Sequence, residues 1–209
     1  MNKKIGFIGC GNMGKAMLGA LVKSNDINKN DIIVSGVDEI KVNLANCCKP
    51  VKGDDIIGYI DEFAVKTTTV NIEVAEVADI LFLAVKPYFF KEVIEEIKNS
   101  IKEDTVIISI AAGITIAQIE QWFDKDVKVV RTMPNTPALV GEGMSAICPN
   151  KFINEDEVEH VGELYNLFGK YEILEEKDFH AFIALCGSSP AYVFMFIEAM
   201  ADAGVKLGI

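Results

Sequence analysis

The chain opens on the stretch Ile5-Gly6-Phe7-Ile8-Gly9-Cys10-Gly11-Asn12-Met13-Gly14, and this stretch decides the fold. An apolar run leads into a Gly-x-Gly-x-x-Gly turn, after which apolar residues recur at helical spacing as far as Leu21. A strand, a glycine turn and a helix in this order form the dinucleotide fingerprint. Gly9 permits the tight turn, Gly11 lets a pyrophosphate approach the backbone, and Gly14 lets the helix pack close to its strand. The alternative is a glycine-rich turn that binds no ligand.

Short apolar runs alternate with helical patterns along the rest of the chain, which predicts an α/β fold. The predicted strands cover residues 4–8, 31–35, 64–68, 79–85, 105–111, 128–133, 144–149 and 171–175. The first six are joined by segments long enough for helices, so we expect a Rossmann-type, doubly wound, mostly parallel sheet. This dinucleotide-binding domain is predicted to span residues 1–176, and the start of an all-α C-terminal domain is predicted at residues 177–209.

Several helix starts carry their own signals. Thr115 with Gln118, and Asn154 with Glu157, have the spacing of capping boxes. The last helix follows Ser188-Ser189-Pro190, which supplies a predicted cap and a first-turn proline. Residues 191–203 of that helix are apolar nearly all round, so the helix must be buried on every side. Either another subunit or further helices are expected to cover it.

Composition narrows the classes of function. The 209 residues carry a net charge of −11 and the pI is about 4.7, which argues against binding to nucleic acid or to an anionic membrane. We expect no signal peptide, because Met1-Asn2-Lys3-Lys4 leads straight into a strand, and no apolar run long enough to cross a membrane. The five cysteines have no framework spacing, which predicts reduced thiols and a cytoplasmic protein. No metal site is expected.

The doubly wound fold places the ligand at the carboxyl edge of the sheet, between the first and fourth strands. Three loops are therefore predicted to line the site: Gly9–Gly14, Ala84-Val85-Lys86-Pro87 and Ala111-Ala112-Gly113. The small residues of the third loop would let a flat nicotinamide lie against backbone. Lys86 would balance phosphate charge; alternatively, Pro87 merely stops a strand.

A stiff segment, Met133-Pro134-Asn135-Thr136-Pro137, follows the sixth strand at the same edge. Its two prolines fix their own φ and favour extended conformations at the residues before them. We interpret it as a wall that holds nicotinamide and substrate side by side. The alternative is a rigid crossover with a structural role only.

The adenosine end of the site is less specific in sequence. Asp38 lies near the position of an acid that holds the ribose hydroxyl in NAD enzymes, whereas Ser35 and Gly36 are small enough to admit a phosphate and Lys41 is nearby. Asn71 either caps a helix that starts at Ile72 or contacts the ribose. The choice between NADP and NAD stays open on these residues. A polar insertion at residues 49–61 receives no function.

These segments together resemble pyrroline-5-carboxylate reductase, the last enzyme of proline biosynthesis. The matching stretches are Ile5–Gly14, Ala84-Val85-Lys86-Pro87, Ser109-Ile110-Ala111-Ala112-Gly113, Met133-Pro134-Asn135-Thr136-Pro137-Ala138-Leu139-Val140 and Gly187-Ser188-Ser189-Pro190-Ala191-Tyr192. Many dehydrogenases share the glycine motif, but the proline-bracketed loop and the Ser-Ser-Pro-Ala-Tyr helix start are far more specific. The resemblance covers nearly the whole chain apart from the insertion.

The resemblance implies NAD(P)H-dependent reduction of 1-pyrroline-5-carboxylate to L-proline, with NADP as the expected cofactor and NAD as the alternative. The expected cofactor contacts are Ile8, Gly9, Cys10, Gly11, Asn12, Met13, Gly14, Ser35, Gly36, Asn71, Ala84, Val85, Lys86, Pro87, Ala111, Ala112, Gly113, Met133, Pro134 and Asn135. The family continues past the position of Ile209 into helices that form an intertwined dimer and carry a substrate-binding Gly-Gly-Thr loop. A homo-oligomer is therefore expected of the full-length protein, and no catalytic side chain is assigned here.

Two alternatives remain on the sequence. A related Rossmann reductase would act on a hydroxy acid or a deazaflavin, and the β-hydroxyacid enzymes bring a helical lysine that has no clear match in this chain. A non-catalytic NADP-binding module is the other alternative, favoured by the missing Gly-Gly-Thr loop.

Overall fold

The computed structural model describes residues 3–36 and 65–209. Across these residues eight strands form one sheet in the order β3-β2-β1-β4-β5-β6-β7-β8. The strands are β1 (Ile5–Ile8), β2 (Ile32–Ser35), β3 (Lys66–Thr68), β4 (Ile80–Leu83), β5 (Val106–Ser109), β6 (Lys128–Met133), β7 (Gly143–Pro149) and β8 (Gly169–Ile173). Strands β1 to β6 are parallel, β7 is antiparallel to β6, and β8 is parallel to β7. The predicted doubly wound sheet is confirmed.

Helices cover both faces of the sheet. They are α1 (Asn12–Lys23), α2 (Asn71–Val77), α3 (Phe90–Ile97), α4 (Ile116–Phe123), α5 (Glu155–Asn166), α6 (Phe179–Phe182) and α7 (Ser189–Lys206). One buried cluster joins α1 and α5 to the sheet, and a second joins α2, α3 and α4 to the opposite face. Phe7 and Phe82 stack across neighbouring strands, with ring centroids 4.5 Å apart. Burial on both faces explains why these strands are continuously apolar.

Both predicted capping boxes form. The backbone N–H of Gln118 donates to Oγ1 of Thr115 at 3.2 Å, and that of Thr115 donates back to Oε1 of Gln118 at 2.9 Å. Asn154 and Glu157 make the same reciprocal pair at 2.9 and 3.0 Å. Each box satisfies N–H groups that the first helical turn leaves without partners.

The eighth strand begins two residues before its predicted start, because of a glycine contact that the apolar pattern does not reveal. Gly169 has φ +156°, and a Cβ there would collide with the carbonyl of Gly143. Gly143 donates its N–H to the carbonyl of Phe168 at 3.0 Å. The two glycines therefore let β7 and β8 begin side by side.

The C-terminal segment is one continuous helical run over Glu176–Lys206. It passes from a 3-10 turn (Glu176–Asp178) into α6, then a π-helix (Ile183–Ser188), then α7. Ser188 makes no capping hydrogen bond, so the predicted cap there is wrong: the helix does not start at Ser188 but continues through it. The sequence around Ser188 therefore resembles a helix start, although the π-helical segment before it carries the helix through this position.

This run is long and apolar enough to cross a membrane by length and composition alone. The expectation that no apolar run reaches that length is wrong, because Gly187 and Pro190 do not interrupt the helix. One such helix does not by itself indicate a membrane protein. The apolar side chains of α7 are exposed, including Phe194 at 69% and Phe196 at 65%. Within the described residues nothing covers this apolar surface, which is the kind of surface that further helices or a second subunit pack against.

Candidate dinucleotide site

The three predicted loops meet at one edge of the sheet. Ile8 pairs with both Ser35 and Leu83, and Leu83 pairs with Ser109, so the carboxyl ends of these parallel strands are level. The backbone N–H of Ala84 donates to the carbonyl of Ile8 at 2.8 Å, which joins the second loop to the first. The loop at residues 111–113 begins two residues after the end of β5. The edge therefore carries all three loops side by side.

The glycines of the first loop have the separate roles that the fingerprint requires. Gly9 has φ +85°, and a Cβ there would lie 2.7 Å from Cγ1 of Val85 and 2.9 Å from the backbone of Ala84. A Cβ on Gly14 would lie 3.3 Å from Cβ of Ala84, which reflects the close packing of α1 on the sheet. A Cβ on Gly11 would meet nothing within 4 Å. Gly11 therefore faces open space, where a ligand can approach the backbone.

The N-terminus of α1 is suited to an anion. Gly11 is the N-cap residue and no side chain caps the helix. The first N–H groups of a helix have no intrahelical acceptor, and the helix dipole adds a partial positive charge at that end. A dinucleotide pyrophosphate fits this arrangement, because its oxygens accept hydrogen bonds from several backbone N–H groups at once.

Two titratable side chains border this turn. Cys10 is buried, and loss of solvent raises the pKa of its thiol to about 11, a shift that Lys15 partly opposes. Burial lowers the pKa of Lys15, and Cys10 partly offsets that shift. The thiol is therefore protonated at neutral pH. It places no negative charge beside the glycine turn.

A buried chain of hydroxyl groups ties together the ends of β5 and β6. Tyr165 on α5 donates to Oγ1 of Thr132 at 2.5 Å, and Thr132 donates to the carbonyl of Ser109 at 3.0 Å. Tyr165 is fully buried, and loss of solvent raises the pKa of its hydroxyl. Sequence reasoning missed these residues, because a tyrosine on an apolar helix face gives no signal that distinguishes it from ordinary core.

The wall segment is held by the side chain of Asn135. Its Oδ1 accepts from the backbone N–H of Met144 at 2.8 Å, and its Nδ2 donates to the carbonyl of Cys186 at 3.0 Å. Asn135 is only 9% exposed. Its amide therefore bonds to the protein itself. Met133 ends β6, and Pro134 follows it at the same edge.

A partly buried ion pair joins the C-terminal helical run to the sheet near this wall. Nη1 of Arg131 lies 2.9 Å from Oε1 of Glu176, and the guanidinium lies 4.6 Å from the ring centroid of Phe179. The same Oε1 accepts from the backbone N–H of Ile116 at 2.8 Å. Within the described residues, Nε of Arg131 has no hydrogen-bond partner. This pair could not be predicted from the sequence, since its members are 45 positions apart.

Ser35 and Asn71, which were predicted to lie near the adenosine, are in contact with each other. Oγ of Ser35 donates to Oδ1 of Asn71 at 2.7 Å, and Nδ2 of Asn71 donates to Oε2 of Glu96 at 2.8 Å. The predicted cap by Asn71 is wrong: α2 starts at Asn71 itself, and Val70 is the N-cap. The side chain of Asn71 points to tertiary partners instead of its own helix. Gly36, with φ +99°, follows Ser35 on the same edge.

Some predicted positions lie outside the described residues: Asp38, Lys41, Cys47, Cys48 and the insertion at 49–61. Within the described ranges, no group of three His, Cys, Asp or Glu residues is placed to hold a metal ion. Cys10, Cys148 and Cys186 are free thiols.

The fold and the loop cluster define a nicotinamide-dinucleotide-dependent oxidoreductase of the Rossmann class. Residues 4–113 match a family model described as "NADP oxidoreductase coenzyme F420-dependent". Residues 176–209 match one described as "Pyrroline-5-carboxylate reductase dimerisation".

Comparison with individual proteins identifies the family within this class of oxidoreductases. The chain is 42% identical over 209 residues to pyrroline-5-carboxylate reductase from Escherichia coli K12, covering 100% of this chain and 72% of that protein. The chain belongs to the pyrroline-5-carboxylate reductase family.

Solved structures agree with this assignment. A Plasmodium falciparum pyrroline carboxylate reductase with NADP bound superposes with a TM-score of 0.81 at 33% identity, covering 100% of this chain and 71% of that one. A pyrroline-5-carboxylate reductase from Coxiella burnetii gives a TM-score of 0.84 at 31% identity, covering 100% and 73%.

Proposed function

We propose that this protein reduces 1-pyrroline-5-carboxylate to L-proline, with NADPH as the reductant. The observation that carries the proposal is the meeting of three family-matching loops at one sheet edge, in a chain 42% identical to an enzyme of that name. In this reaction the bound cofactor supplies a hydride to the imine carbon, and the imine nitrogen ends protonated. The protein's part is to bind and orient, since the cofactor carries the chemistry.

The residues proposed to contact the cofactor fall into four groups along the edge. Residues 8–14 would hold the pyrophosphate through backbone N–H groups, and Ser35, Gly36 and Asn71 would face the adenosine ribose. Residues 84–87 and 111–113 would border the nicotinamide half, with Met133, Pro134 and the backbone of Asn135 as its wall. Lys86 is exposed beside this edge, where its charge can offset that of a phosphate.

We also propose the assembly and the location. Residues 177–209 would form the start of a helical domain, distinct from the nucleotide-binding domain at 1–176, and the match of residues 176–209 to the dimerisation family supports this division. The exposed apolar side chains of α7 suit pairing with a second copy, so a homo-oligomer is proposed. Free thiols at the described cysteines are in keeping with a reducing cytoplasm.

The decisive experiment follows NADPH absorbance and proline formation together. We expect the purified protein to oxidise NADPH only when pyrroline-5-carboxylate is added, with one L-proline formed per NADPH consumed. Parallel reactions with 2-hydroxy acids and NADP serve as the control for other Rossmann reductases. Turnover of a hydroxy acid in place of the imine would refute the substrate, and nucleotide binding with no turnover would indicate a non-catalytic module.

A further inference from the structure

The two segments most specific to the family contact each other through one side chain. Asn135, in the wall segment, donates its amide N–H to the carbonyl of Cys186, which lies directly before Gly187-Ser188-Ser189-Pro190. The residues are 51 positions apart, so only the tertiary fold joins them. The wall of the proposed nicotinamide site is therefore attached to the helical run that follows β8.

Pro190 takes away one backbone donor that a regular α-helix would offer to the carbonyl of Cys186. In an α-helix the carbonyl of residue 186 would accept from the N–H of residue 190. Proline has no N–H, and its ring also crowds the carbonyl four residues before it. The amide of Asn135 supplies a donor to the carbonyl that Pro190 cannot serve.

The helix adapts to the proline by widening. Residues Ile183–Ser188 are π-helical, and Oγ of Ser189 donates to the carbonyl of Ala184 at 2.9 Å. Two side chains thus bind backbone carbonyls of this short segment, one from within the helix and one from the wall. Single π-turns of this kind occur frequently at functional sites.

We propose that Asn135 is a positioning residue that fixes the nicotinamide wall against the π-helical segment, and that its amide acts through this contact rather than on the cofactor. The inference rests on the proposed function, because it assigns the wall to the nicotinamide. One end of the amide holds the wall to β7 through Met144, and the other holds it to Cys186. Loss of the second contact leaves the wall attached on one side only.

The expected consequence differs between the two halves of the cofactor. The adenosine and pyrophosphate groups are bound by residues 8–14 and by the Ser35 region, which Asn135 does not touch. The nicotinamide ring depends on the wall for its orientation, and a displacement of about 1 Å can cost about a hundredfold in rate. Removing the Asn135 donor should therefore reduce turnover far more than it reduces nucleotide affinity.

The test uses Asn135→Asp, which keeps the shape and the acceptor for Met144 but replaces the donor with a carboxylate oxygen. Asn150→Asp is the matched control. The amide of Asn150 donates to the backbone carbonyl of Val127 and also to Oε1 of Glu120, each at 2.8 Å. Asn150 lies after antiparallel β7, at the amino edge of the parallel strands. For each variant we would measure the dissociation constants of NADPH and of adenosine 2′,5′-bisphosphate, which lacks nicotinamide, together with kcat and the melting temperature.

Asn135→Asp should lower kcat at least about tenfold and raise the dissociation constant of NADPH. The dissociation constant of adenosine 2′,5′-bisphosphate should stay within about twofold of its value in the unmodified protein. Asn150→Asp should lower the melting temperature without changing the ratio of the two dissociation constants. Equal weakening of both nucleotides by Asn135→Asp, or a loss of stability with unchanged kcat, would overturn the inference. The ratio is measured without substrate, so it still tests the wall if the imine proves to be the wrong substrate.

Discussion

Replacing Glu176 with alanine should destabilise the fold through a charge left behind in the interior. Arg131 is 3% exposed and its guanidinium lies 2.9 Å from Glu176, so the variant would leave a buried cation without its carboxylate partner. The backbone N–H of Ile116 would lose its acceptor as well. Both effects add to the cost of the substitution, and no other carboxylate contacts this guanidinium among the described residues.

The magnitude follows from the exposure of the pair. Breaking a fully buried ion pair costs about 3–5 kcal/mol. The Glu176 side chain is 32% exposed, so water screens part of the interaction, and water can also enter the space that alanine leaves. The stack of Arg131 on Phe179 survives the substitution and retains part of the stabilisation of the cation. We therefore expect a loss of about 2–3 kcal/mol in the free energy of unfolding.

Urea denaturation measures this loss, with the fluorescence of Trp122 as the probe. Trp122 is the only tryptophan and lies on α4, the helix whose first N–H group binds Glu176. Glu175→Ala is the matched control, because Glu175 is the neighbouring residue and pairs with Lys177 in solvent. The control should change stability by no more than about 0.5 kcal/mol. Equal destabilisation by the two variants would refute the assigned role of the ion pair.

Two further predictions concern the glycine turn. Gly11→Val should abolish NADPH binding and cost no more than about 1 kcal/mol in the free energy of unfolding, because the added side chain meets only open space in the protein. Gly9→Ala is the comparison that should impair folding, because its Cβ would collide with Ala84 and Val85. Calorimetric titration and thermal melting would separate the two effects, and full NADPH affinity in Gly11→Val would exclude the site. Cys10 should make stability fall by about 2 kcal/mol between pH 9 and 11, because its pKa rises from 9.0 to about 11 on folding and the unfolded chain loses the proton first. The urea midpoint of Cys10→Ala should depend less on pH across this range than that of the unmodified protein. An equal pH dependence of the two midpoints would contradict the raised pKa of Cys10.

The neighbouring first and fourth strands and the location of the site could be predicted from the sequence because both follow from rules of chain geometry, whereas the antiparallel seventh strand could not. Parallel strands joined by helices have a fixed handedness, so the carboxyl ends and their loops gather at one edge. The capping boxes were also predictable, since each depends on residues only three positions apart. The capping boxes depend on residues that are close in the sequence. The loops of the site become neighbours once the strand topology is known.

The errors have a common physical origin in tertiary contacts. Asn71 has the chemistry of a cap, but Ser35 and Glu96 bind its side chain, and no pattern within ten residues of it reveals them. Ser188 and Pro190 resemble a helix start, yet the helix passes through them because the π-helical segment accommodates the proline. The ion pair between Arg131 and Glu176 could not be predicted either, since a contact between residues 45 positions apart leaves no periodic pattern in the sequence.

The absent N–H of Pro190 has a consequence for sequence divergence in this lineage. A substitution at 190 that restores an amide hydrogen would give the Cys186 carbonyl a donor from its own helix, and selection on position 135 for asparagine would then relax. As long as proline persists at 190, replacement of Asn135 removes the side-chain donor that this carbonyl has in the structure. The two positions are thus expected to covary among descendants of this gene, although they lie on different secondary-structure elements.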